Sequence, residues 1–90
     1  MQNYQLAMPL MGEVLAASRR VRGDQDPMTL TAVSEVAELH SDLGQYAQAL
    51  PLCMEVADSR QRTLGASHEK TVEALANVGT VQMRLGEHVR

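Results

Sequence analysis

The residues that could support catalysis or metal binding are few and poorly spaced for either task. The three histidines do not form an H-x-x-x-H pair, and none stands at a metal-ligand spacing from the single cysteine, Cys53. His68 has a simpler interpretation as a residue at the start of a helix. Cys53 falls on the apolar side of its segment, which favours a buried, inert thiol. We therefore expect no catalytic residue, no metal site and no enzymatic activity.

Two other features suggest ligands but have simpler explanations. All six glycines are single and four of them are spaced like helix ends, so no glycine-rich phosphate loop is present and no cofactor is expected. The run SRRVRG could bind anions, yet cations in the last turn of a helix also stabilise the helix dipole. The six methionines are interpreted as core fillers rather than as a recognition surface.

An acidic cluster is the strongest candidate for binding. Glu35, Glu38 and Asp42 are spaced by three, four and seven residues, so on a helix they share one face. Such a cluster is either a solvated helix face or a site for a basic ligand.

Composition limits the elements that could position these residues. The 90 residues are 44% apolar and 21% charged, with two Tyr and neither Phe nor Trp, which favours close-packed helices in one small domain or a slice of an array. The net charge of −3 disfavours nucleic acid as a partner.

No apolar run approaches the roughly 18–20 residues needed to span a bilayer, and the N-terminus lacks signal-peptide features. With one cysteine, a cytoplasmic location and no membrane contact are expected.

An internal repeat predicts the fold. Aligning the chain with itself at an offset of 42 residues gives 13 identities without a gap. Gly23, Gly44, Gly65 and Gly86 are spaced 21 residues apart, and glycine after a periodic run is a common helix stop. We predict amphipathic helices at about 1–22, 27–43, 46–64 and 68–85, with 86–90 starting a truncated next repeat.

Local details add expectations to each helix. Asp26 before Pro27 predicts a capped helix start. Pro9 and Pro51 predict a bend or a late start of their helices. The first helix is expected to face the core with Leu6, Leu10, Val14 and Val21. Recurring alanines (Ala7, Ala32, Ala49 and Ala74) predict close helix contacts at the joints between units.

The repeat resembles the tetratricopeptide repeat of the kinesin light chain type, whose unit is also 42 residues long. Residues matching its pattern in the second copy are Gly44, Tyr46, Ala49, Pro51, Leu52, Leu64, Gly65, His68 and Asn77. The first copy matches with Tyr4, Ala7, Pro9, Leu10, Gly23 and Pro27. Departures include Met11 and Cys53 in place of an aromatic, and Glu69 in place of the proline after His68.

The resemblance implies an all-α fragment of a solenoid, four antiparallel helices in the order B-A-B-A, 1–90 forming a single segment. It also implies that the A helices line a concave face that binds an extended peptide, and Asn77 coincides with an asparagine that commonly bonds the ligand backbone. The peptide-binding residues expected on this face are Thr31, Glu35, Glu38, Asp42, Glu73, Asn77, Thr80 and Arg84.

We thus expect a protein-interaction scaffold module, a slice of a longer repeat array with a protein or peptide partner. Two alternatives stay open at this point. The first is a structural segment that self-associates through its uncapped end helices. The second is the regulatory repeat region of a larger enzyme or ATPase.

Overall fold

The computed structural model describes residues 4–88, with side chains from 9 to 87, and contains four helices and no strand within that range. The helices are α1 (Tyr4–Val21), α2 (Pro27–Asp42), α3 (Tyr46–Leu64) and α4 (Glu69–His88). Each helix packs against the next one along the chain, so they form an antiparallel stack. The predicted all-α class is confirmed. None of the described helices combines the length and the apolar character needed to cross a membrane.

Two buried threonines show that the sequence repeat is also a structural repeat. Thr29 and Thr71, which are 42 residues apart, are both fully buried. The Thr29 hydroxyl donates to the Ser18 carbonyl at 3.2 Å, and the Thr71 hydroxyl donates to the Arg60 carbonyl at 3.2 Å. Since Ser18 and Arg60 are also 42 residues apart, the same contact joins α1 to α2 and α3 to α4.

The helix ends follow the predicted signals except at Gly86. The Asp26 side chain accepts a hydrogen bond from the Met28 amide at 2.9 Å and caps α2, as expected. Gly65 ends α3 at φ 91° and ψ 158°, a backbone region that is open almost only to glycine. Gly86 was expected to stop the fourth helix, but it lies inside α4, which continues to His88. Glycine permits a left-handed stop without requiring one, so the spacing of 21 residues overpredicted this end.

The two internal prolines do not delay their helices. α1 already begins at Tyr4 and α3 at Tyr46, so Pro9 and Pro51 each lie in the second turn. Both prolines are exposed. The expected late start is therefore wrong for both helices, and each proline removes only one i→i−4 hydrogen bond from its helix.

An ion pair fastens α1 to the third helix. The Arg19 guanidinium donates to both carboxylate oxygens of Glu55, at 2.8 and 3.0 Å, and also to Asp24 at 2.7 Å. A two-pronged arginine–carboxylate contact fixes orientation as well as distance. Arg19 thus links non-neighbouring helices in addition to standing near the end of α1.

The outer face of α1 differs from the sequence prediction. Leu10, Val14 and Val21 are 62, 50 and 82% exposed, while Leu15 and Met11 contact the core. The side chain of Leu6 and that of Ala7 lie outside the described residues. The periodicity identified an apolar side of α1, but among the described helices α1 packs mainly against α2, so much of that side stays exposed.

Small residues lie at the helix contacts, as the repeat predicted. Ala32, Ala49 and Ala74 are 5, 0 and 3% exposed. Ala49 belongs to a cluster with Ala37, Cys53 and Val81, in which α2, α3 and α4 meet.

We expect Ala49→Leu to destabilise the fold. Three extra carbons at a fully buried site must displace neighbours, which costs about 1–3 kcal/mol. Denaturant titration measures this change, and Ala47→Leu serves as the control because Ala47 lies on the exposed side of the same helix. A loss at Ala49 as small as the one at Ala47 would contradict the packing described here.

Candidate functional site

A groove runs along the stack between α2 and α4, with α3 as its floor. Its volume is about 520 Å³. The groove exists because α2 and α4 both pack against α3 and stand on either side of it. The polar residues that line it are Thr31, Ser34, Glu35, Glu38, Ser41, Arg60, Glu73, Asn77 and Thr80.

Six of the eight residues expected in a binding site line this groove: Thr31, Glu35, Glu38, Glu73, Asn77 and Thr80. Asp42 and Arg84 are not among its lining residues. Asp42 follows Glu38 by four residues, and Arg84 follows Thr80 by four, so both lie one helical turn farther along. They occupy equivalent positions of the two repeats, past the end of the groove.

The floor is built from small and apolar side chains that the sequence analysis did not assign to a site. Ala37, Ala74 and Val81 come from the two walls, and Cys53 and Val56 come from α3. Short side chains at these positions leave room for a ligand above them. A signal was present in α3, where Cys53, Val56 and Arg60 follow the i, i+3, i+7 spacing of one helix face.

Arg60 is the most informative residue that sequence reasoning missed. Its carbonyl receives the Thr71 hydroxyl, which places Arg60 at the end of the groove where α4 begins. The side chain is only partly exposed and makes no hydrogen bond or ion pair with the described residues. Among the described residues that line the groove, it is the only cation.

The charge in the groove is mainly negative. Glu35 and Glu38 project from the α2 wall and Glu73 from the α4 wall, and all three are exposed. With Arg60 as the only cation among the described lining residues, carboxylates outnumber cations by three to one. The groove therefore offers cationic groups a favourable wall along α2 and gives acidic groups one contact, at Arg60.

The neutral polar groups differ in what they can offer a ligand. The hydroxyls of Thr31 and Thr80 donate to the carbonyls of Pro27 and Ala76 in their own helices, each at 3.0 Å. Their donors are thus engaged, and only their oxygen lone pairs face outward. Asn77 is exposed and its amide makes no hydrogen bond with the described residues, so it can donate and accept at once.

The groups considered first for chemistry have structural roles. His68 Nδ1 accepts the Lys70 amide at 3.1 Å, which supports the interpretation of His68 as a helix-start residue. His40 Nδ1 contacts Gln45 Oε1 at 2.7 Å across the turn between α2 and α3. The side chain of His88 lies outside the described residues. Burial raises the pKa of the Cys53 thiol, so the thiol stays protonated at neutral pH and is a poor nucleophile.

Stacked antiparallel helices, a 42-residue structural repeat and a groove between alternate helices define the class of α-helical repeat proteins. A family model described as tetratricopeptide repeat matches residues 28–89. The chain belongs to the tetratricopeptide repeat family. A search of curated proteins finds no match to this chain. Membership indicates a protein-interaction repeat module, and such repeats are typically not catalytic.

Proposed function

We propose that the chain binds an extended peptide segment of a partner protein in the groove between α2 and α4. The observation that carries this proposal is the groove itself. Its floor consists of small and apolar side chains, and polar side chains line both of its walls. Its lining residues extend from Thr31 to Ser41 on α2 and from Glu73 to Val81 on α4, a length that suits a peptide strand. Asn77 can bond to the peptide backbone whatever its sequence, because the amide both donates and accepts.

The chemistry of the groove further suggests which peptides are preferred. Glu35 and Glu38 on α2 favour lysine or arginine side chains at the middle of the bound segment. Arg60 favours a carboxylate at the end where α4 begins. We infer a basic or mixed-charge ligand with at most one acidic group, placed at that end.

The 42-residue unit also supports assignment to the kinesin light chain type of repeat. The groove argues for a different ligand within that subclass. Kinesin light chains offer a basic groove to acidic cargo peptides, whereas acidic side chains dominate here. We thus propose the kinesin light chain type for the architecture of the repeat, but not its preference for acidic cargo peptides.

A peptide array tests this proposal. Sets of basic, mixed and acidic peptides of equal length are probed with the chain, and binding is repeated at low and high salt. We expect basic and mixed peptides to be enriched and their binding to weaken with salt, because exposed charges are screened within about 10 Å at 0.1 M ionic strength. Enrichment of acidic peptides would contradict the assignment of ligand charge.

A further inference from the structure

The stack of helices ends in two apolar faces that lie on its first and last helices. On α1, Leu10 and Val14 are 62 and 50% exposed and form what is here called the α1 end face. On α4, Val72 and Leu75 are 54 and 44% exposed and form the α4 end face. Branched apolar side chains exposed in pairs on the first and last helices indicate contact surfaces that the described part of the chain leaves uncovered.

The repeat supplies a buried counterpart for each face. At an offset of 42 residues, the α4 end face corresponds to Leu30 and Val33 of α2, which are 4 and 0% exposed. The α1 end face corresponds to Leu52 and Val56 of α3, of which Val56 is 3% exposed.

These four counterparts meet inside the molecule. Leu30, Val33 and Val56 belong to one core cluster, and Leu52 packs against it. They are contributed by α2 and α3, which pack against each other. The α4 end face is therefore equivalent to the α2 side of the α2–α3 contact, and the α1 end face is equivalent to its α3 side. In the single chain these two faces lie on the last and the first helix of the stack.

We propose that a second copy of this chain docks head to tail, with its α1 end face on the α4 end face of the first copy. In this joint α1 of the second copy lies on α4 as α3 lies on α2. The joint continues an interface that the chain already forms internally, so its shape and apolar match come from the repeat.

A polar pair at the border of the joint is also compatible. Inside the chain, Glu55 receives two hydrogen bonds from Arg19. The repeat counterparts of these two residues are Glu13 and Gln61. In the joint, Glu13 of the second copy takes the place of Glu55 and meets the Gln61 amide, which can donate to a carboxylate.

The two faces differ from each other, so the contact is heterologous and does not close on itself. Each added copy presents a fresh end face, and assemblies grow beyond dimers as concentration rises. This inference is independent of peptide binding, because the end faces share no residue with the groove.

Sedimentation velocity on the 90-residue chain tests the inference. Over a range of about 5 to 500 μM we expect the mean mass to rise continuously past that of a dimer, as mass action requires. A mass that stays at the monomer value over this range would overturn the proposal.

Two variants identify the faces involved. Val14→Lys blocks the α1 end face and Leu75→Lys blocks the α4 end face. Because both side chains are exposed in the single chain, we expect both variants to fold, and circular dichroism measures their helix content. We expect each variant alone to be monomeric and an equimolar mixture to form only a 1:1 dimer, through the one intact face of each.

The result from the single variants separates head-to-tail docking from a symmetric dimer. A symmetric contact between two α1 end faces would leave Leu75→Lys dimeric and would overturn the proposal. Met54→Lys is the matched control, since Met54 is 51% exposed on α3 and lies on neither end face. Assembly by this variant should equal that of the unchanged chain, and a loss there would show that the charge itself prevents association.

Discussion

Extending the chain by one further helix in repeat register is expected to raise the melting temperature by more than about ten degrees. The added segment, a copy of residues 44–64 placed from position 86 onward with a polar outer face, supplies a turn and a helix that would cover Val72 and Leu75 as α3 covers their counterparts. Burying a valine or leucine side chain contributes about 1.5–3 kcal/mol, and these two are already half covered. A net gain of about 2–3 kcal/mol is large for a 90-residue chain, in which 1 kcal/mol shifts the midpoint by roughly 4–8 °C.

Thermal unfolding at low micromolar concentration measures this effect without a contribution from self-association. The control is the same extension with Ser at the two positions corresponding to Leu52 and Val56, which adds a helix that cannot pack. An equal melting temperature for the original and the extended chain would show that the α4 end face gains nothing from being covered.

Reversing two charges on the α2 wall is expected to weaken the binding of a basic peptide by about tenfold or more. Glu35→Lys combined with Glu38→Lys replaces two favourable contacts by two repulsions, and each exposed pair contributes up to about 1 kcal/mol. Both side chains are exposed, so the fold is expected to remain intact. Titration calorimetry with a basic peptide from the array measures the affinity. Acidic peptides should bind the same variant more tightly than they bind the unchanged chain.

The matched control separates a local contact from overall charge. Glu13→Lys combined with Glu87→Lys changes the net charge by the same amount at exposed positions that do not line the groove. We expect this pair to leave the affinity within about twofold, because charges farther than a Debye length are screened. Equal losses in the two double variants would place the peptide outside the α2 wall.

The sequence predicted the helices well because their signals are local and repeated. Asp26 and Pro27 mark the start of α2 within the chain itself, and one glycine in each turn (Gly23, Gly44 and Gly65) recurs at a fixed spacing. Exposure could not be predicted in the same way. Val14 and Val56 are identical and equivalent in sequence, yet one is 50% exposed and the other 3%, since α3 packs between α2 and α4 whereas α1 packs mainly against α2.

The candidate site was predictable where it depends on a single helix and not where it depends on several. Glu35, Glu38 and Asn77 follow from removing the apolar stripe of α2 or α4. The extent of the groove depends on how three helices pack, so the sequence alone does not show that Asp42 and Arg84 lie beyond its lining residues. Arg60 was missed because it comes from α3, a helix that the repeat convention assigns to the opposite face.

Amide chemical-shift mapping with a basic peptide tests the central claim most directly. In heteronuclear NMR spectra of the chain, we expect the largest shifts in α2 from Thr31 to Ser41 and in α4 from Glu73 to Val81, with the side-chain amide of Asn77 among them. The amides around Leu10 and Val14 on α1 should stay in place. Shifts confined to the α1 or α4 end face, with the groove amides unmoved, would contradict the account.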